Sequence, residues 1–218
     1  MVNSIQAGRL SRFEGRIAGF GTKAGPRLVI GMWERSPFGR FADVMVESDS
    51  GHRLLMAPSE AVAEYVSSTY TFDEVQVVEV RFGQATGGEG AGGDLARRIR
   101  ISAGPLEVTL QIGGPTAVGR LLRSVPRAFA VHPVWLQAID PVARMLVPGA
   151  RTSGSAGGGR REFYGVTRAR AITAVDATWE GSALGGVQRL EPPVTFGFGS
   201  APATPTLVDI VTTIRERA

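Results

Sequence analysis

LARRIRISAGPLEVTLQIG, residues 95–113, decides the fold class. Apolar side chains recur at every second position: Ile99, Ile101 and Ala103, then Leu106, Val108, Leu110 and Ile112. A period of two marks strands with one buried face. Between the arms, Gly104-Pro105 offers a two-residue loop whose first position tolerates positive φ, as a type II′ turn requires. That loop sets Ile101 opposite Val108 and Ile99 opposite Leu110. Arg98, Arg100, Glu107, Thr109 and Gln111 are left on the other face. A slip of one residue would invert every side chain, so the alternation fixes the register.

The same pattern extends outward. FADVMVES-DSG-HRLLMAP (41–58) reads as a second hairpin with Gly51 at a left-handed turn position. Its first arm places Ala42, Val44 and Val46 on one face and Phe41, Asp43, Met45 and Glu47 on the other. A face that mixes Phe and Met with two carboxylates is either solvated or lines a polar–apolar cavity. Further strands are predicted at 13–20, 27–34, 72–82, 163–179, 193–199 and 206–215. Ten such segments, separated by turn residues, predict a mostly β protein: one domain over 1–218, an antiparallel β-barrel or sandwich of about ten strands.

Three short helical insertions interrupt the strands. PSEAVAEYVSST (58–69) offers Pro58 as first helical residue and a stripe of Val62, Tyr65 and Val66. PTAVGRLLRSV (115–125) offers Val118, Leu121, Leu122 and Val125, with Arg120 and Arg123 alongside. VHPVWLQAIDPVARMLVPGA (131–150) is apolar, but Gln137, Asp140 and Arg144 interrupt it well short of the roughly 20 residues a membrane span needs. Pro133 and Pro141 split it into two short helices, about 133–139 and 141–147, which either plug one end of the fold or form a lid over a cavity. The Gly-rich segments 83–93 and 153–159 read as flexible loops.

Composition narrows the chemistry. There is no Cys among the 218 residues, which excludes disulfides, thiolate nucleophiles and Cys-ligated metals and fits a reducing compartment. The start, MVNSIQAGRLSRFEG, has no apolar run after its basic residues, so a cytoplasmic location is expected. Of 24 basic residues only Lys23 is a lysine. Between positions 120 and 170 nine arginines face only Asp140 and Glu162. That block suits an anionic head group, which needs two or three arginines. Nucleic acid is not expected, because aromatics for stacking are sparse there.

No dinucleotide or phosphate loop is present: GFGTKAGPR around Lys23 lacks the spacing and the following helix, and reads as a hairpin turn. His52 and His132 have no metal-type spacing, so neither metal nor cofactor is expected. Asp43 with Glu47 is the kind of carboxylate pair acid–base chemistry uses. Arg120 and Arg123 lie three apart on a helix, and Arg168 and Arg170 two apart on a strand, so each pair shares a face.

The runs FADVMVES…GHRLLMAP…STYTFDEVQVVEV and EFYGVTRARAITAV…PPVTFGF resemble an uncharacterised family of GC-rich bacteria. That family has no assigned activity, so the resemblance carries over no site residue. At the level of architecture, strands with closing helices resemble lipocalin-type binders, although no G-x-W stands near residue 15.

The expected function is binding of a small amphipathic anion, fatty-acid-like or lipid-like, inside the barrel. Its ligand-binding residues would be Met45, Arg120, Arg123, Trp135, Tyr164, Arg168 and Arg170. The alternatives are a lyase or isomerase using Asp43 or Glu47 as base and His132 as acid, and an interaction module or nucleic-acid binder using the 120–170 block.

Overall fold

The hairpin forms in the register its alternation dictates, with Ile101 opposite Val108 and Ile99 opposite Leu110. Gly104 has a φ of +53°, a sign that a proline at that position, locked near −65°, would forbid. The structure, a computed structural model, describes residues 10–84, 98–123, 153–156, 160–197 and 202–215. Its strands in chain order are β1 (Leu10–Thr22), β2 (Arg27–Arg35), β3 (Phe41–Glu47), β4 (Arg53–Ala57), β5 (Glu74–Val77), β6 (Val80–Gln84), β7 (Arg98–Ala103), β8 (Leu106–Pro115), β9 (Ser153–Ala156), β10 (Arg160–Trp179), β11 (Ser182–Ala183), β12 (Val187–Gln188) and β13 (Thr206–Arg215). Two helices lie among the described residues, α1 (Glu60–Ser67) and α2 (Ala117–Leu122).

One sheet runs β5-β4-β3-β2-β1-β13-β10-β8-β7-β6, with β9 and β11 attached to β10 and β12 to β1. It curls into a half-barrel. The closed antiparallel barrel expected from the sequence does not form, for two reasons. The link from β4 to β5 passes through α1, which makes that pair parallel, as a crossover connection does. The predicted strand 72–82 then breaks at Val78-Glu79, where the Val78 amide bonds back to the Ala57 carbonyl at 2.9 Å. Its halves, β5 and β6, become the two opposite edges of the sheet.

The curl encloses one core. Phe20, Leu28, Ile30, Met32, Val44 and Met56 from β1 to β4 meet Phe82, Ile101, Leu106, Val108 and Leu110 from β6 to β8 and Leu207 from β13. On the outer face a second cluster joins Phe13, Phe41, Met45 and Leu55 to Val62, Ala63 and Val66 of α1 and to Phe196. All seven residues of β3 are therefore buried, which answers the question raised by its mixed face: α1 and the segment leading to Phe196 cover it.

Other expectations need correction. Helix α1 starts after Pro58, with Ser59 as N-cap accepting from the Val62 amide. Of the apolar stripe expected in α2, Val118 and Leu122 are half-buried, Leu121 is 57% exposed and Val125 lies outside the described residues; the buried residue is Gly119. A side-chain carbon at 119 would run into the Ala169 carbonyl, so only glycine lets α2 lie this close to β10. Residues 193–197 form no strand, because the Thr195 amide bonds to a Glu47 carboxylate oxygen rather than to a sheet neighbour. The helices expected over 131–150 lie outside the described residues.

Candidate functional site

Two shifts of register build a charged cleft past the end of the inner core. Between β1 and β2, Glu14 pairs with Arg35 and Gly15 with Trp33, so Glu34 is the extra residue. Between β10 and β13, Val166 pairs with Ile210 and Arg168 with Asp209, so Thr167 is the extra residue. A strand that gains one residue turns everything beyond it to the other face. Arg168 thereby comes to lie beside Asp209, and Asp209 also pairs with Arg16 on its other side. Three adjacent strands thus carry Arg16, Asp209 and Arg168 in one row, on the face that holds Ala18 and Leu207 of the inner core.

Around this row is a cavity of about 660 Å³. Its walls include Arg16, Arg35, Arg123, Arg168 and Arg170 together with Glu14, Glu34 and Asp209, and an apolar side of Leu122, Ile210 and Val211. Arg170 donates to Asp209 at 2.9 Å, and Arg168 stands 3.8 Å from the same carboxylate. Arg16 reaches Glu34 at 3.2 Å, and Arg35 reaches Glu14 at 3.9 Å. Glu34 also accepts from Arg40 at 2.9 Å, whose guanidinium stacks 3.8 Å over the Phe82 ring on the far edge of the sheet. The arrangement is open to solvent and keeps more positive than negative groups.

The outer face holds a different pair of carboxylates. Asp43 is 3% exposed, and its Oδ1 accepts from Trp33 Nε1 at 2.9 Å. Burial without a cationic partner pushes its pKa up to about 7, a rise the Trp33 hydrogen bond partly offsets. Glu47, also 3% exposed, is fully engaged: Oε1 accepts from Arg27 Nη2 at 3.0 Å and Oε2 from the Thr195 amide at 2.6 Å. Arg27 in turn donates to the Pro192 carbonyl at 2.7 Å. This buried network ties β2 and β3 to the segment that covers them.

The sequence-derived candidates therefore divide. Arg123, Arg168 and Arg170 come together in the cleft. Arg120 points elsewhere, its guanidinium on the Pro115 carbonyl at 3.4 Å. Met45 packs in the outer cluster with α1. Tyr164 lies on the outer face, its hydroxyl 2.7 Å from that of Tyr70. Asp43 and Glu47 share that face, away from the arginines. His132 and Trp135 lie outside the described residues. His52 is placed 3.1 Å from Glu74, and among the described residues no group of three His, Asp or Glu could hold a metal ion.

Sequence reasoning missed Arg16, Arg35, Glu14, Glu34 and Asp209. The alternation Glu14, Arg16, Ala18, Phe20 marks a shared face on β1, but nothing local says that Asp209 lies beside it.

Among the described residues no helix is long and apolar enough to cross a membrane. No family model matches the chain, and no curated protein does. Among solved structures the chain is similar to "Enduracididine biosynthesis enzyme MppR complexed with pyruvate", at 9% identity over 97% of this chain and 89% of that one, with a TM-score of 0.38.

Proposed function

We propose that the protein binds a small organic anion in the cleft between β1, β13, β10 and α2. One observation carries the reading. Arginines from four elements converge on a single cavity of about 660 Å³, a size typical of small-molecule sites. The anionic end sits among the arginines, which present paired N–H donors to a carboxylate or phosphate. Any apolar part lies against Leu122 and Val211. Among the described residues Phe20, Leu28, Ile30, Met32 and Leu106 pack the interior of the curl, which favours a compact polar anion over a long acyl chain. The alternative with Asp43 or Glu47 as catalytic base gains nothing from the geometry, because both face away from the arginines and Glu47 is already engaged by Arg27.

Native mass spectrometry of protein purified from its own host tests the proposal. A retained small anion, lost from the Arg168→Ala/Arg170→Ala variant, is the expected result. A wild-type protein that carries no ligand and is not stabilised against heat by millimolar phosphate, citrate or succinate would overturn it.

A further inference from the structure

We infer that the ligand carries two negative charges, and that Arg123 and Arg168 are the residues that sense the second one. The inference rests on the anion-binding reading above. Among the described residues five arginines line the cleft against three carboxylates, an excess of two positive charges. Arg16, Arg170 and Arg35 each have an internal carboxylate, Glu34, Asp209 and Glu14 respectively. Arg168 lies 3.8 Å from Asp209, a carboxylate that Arg170 already holds at 2.9 Å, so none of the three cleft carboxylates is left to it alone. Arg123 makes no ion pair among the described residues.

The two cations left over come from α2 and β10. Gly119 brings these elements into contact by letting the helix backbone approach Ala169. A singly charged ligand would compensate one of the pair and leave the other unmatched beside the apolar wall. A doubly charged ligand compensates both, and the attraction from each arginine adds. Dicarboxylates and phosphate monoesters share this chemistry.

The test uses two matched pairs of probes that differ by one charge: succinate against monomethyl succinate, and phenyl phosphate against methyl phenyl phosphate. Each is titrated calorimetrically at low ionic strength into the wild type, Arg123→Gln, Arg168→Gln and Arg100→Gln. Arg100 is an exposed arginine on the hairpin, paired with Glu107 and outside the cleft. All three substituted side chains are exposed, and equal melting temperatures verify that the variants fold alike. In at least one pair the dianion should bind about tenfold or more tightly than its monoanion. Arg123→Gln and Arg168→Gln should each bring that ratio to within about threefold, while Arg100→Gln keeps it. Equal binding of monoanion and dianion, or a ratio that survives both cleft substitutions, overturns the dianion inference and leaves anion binding standing. Failure of all four probes to bind overturns both.

Discussion

Gly31 and Asp43 stand opposite each other on β2 and β3, with no room for a side-chain carbon between them. A Cβ at position 31 would lie 2.5 Å from Asp43 Oδ1 and 2.7 Å from Trp33 Nε1. Glycine weakens a strand interior unless something needs the space, and here the Trp33–Asp43 hydrogen bond occupies it. Gly31→Ala should destabilise the protein by roughly 1–3 kcal/mol through overpacking, read from urea unfolding. Combined with Asp43→Ala, which removes the clashing oxygen, its further cost should shrink. Equal costs in both backgrounds would show that the carboxylate is not what position 31 accommodates.

The buried Asp43 carboxyl also makes stability depend on pH. Its pKa is 3.8 in an ordinary setting and about 7 in the fold. Between those values the folded protein holds a proton that the unfolded chain has released, so stability falls as pH rises. The total loss is at most roughly 4 kcal/mol, complete above pH 7. Asp43→Asn has no proton to hold, so it should match the wild type near pH 4 and exceed it near pH 8. Denaturant unfolding across that range checks it. Parallel curves for the two proteins would refute the assignment.

At Arg27 and Glu47, removing a single charge should have the opposite effect on stability. Both side chains are nearly inaccessible, at 6% and 3% exposure, and each also bonds the covering segment through Pro192 and Thr195. Removing one partner leaves the other charge buried and unmatched, which costs about 3–5 kcal/mol. Glu47→Gln should therefore destabilise strongly and speed hydrogen exchange at the Thr195 amide. Arg27→Met/Glu47→Leu, which removes both charges, should recover much of the loss. A double variant as weak as the worse single one would mean that the pair is needed as an ion pair.

The contrast between hairpin and cleft shows what a sequence displays. Ile101 and Val108 were legible as partners because their alternation and the Gly104 turn lie within a few residues of each other. The face of β3 was legible, but not its cover, because nothing in the sequence says that α1 folds back over Phe41 and Met45. Arg16 and Asp209 come from opposite ends of the chain, and their pairing depends on how β1 meets β13. Tyr164 and Arg168 have the spacing of residues on one strand face, yet the extra residue at Thr167 sends them to opposite faces. The arginine excess was visible; the bulge that aims it was not.

Arg168, Arg170 and Asp209 allow binding and folding to be separated. Arg170 is one-third exposed and bonds Asp209 at 2.9 Å, whereas Arg168 is 72% exposed and only near it. Arg168→Ala should weaken anion binding with little change in stability, because exposed pairs at such distances contribute little. Arg170→Ala should weaken binding and also cost about 1 kcal/mol, because Asp209 loses its one close partner. Asp209→Asn should act in the other direction on binding. It removes the same close ion pair, so the fold weakens by a similar amount, but it frees Arg170 and raises the positive excess of the cleft. Anion affinity should then increase several-fold at low salt, an advantage that shrinks as screening shortens the reach of the added charge. Thermal unfolding and calorimetric titration with phosphate, each at low and high salt, measure the two effects separately. An Asp209→Asn variant that binds anions no better than the wild type at low salt would show that Asp209 does not hold down the charge of the cleft.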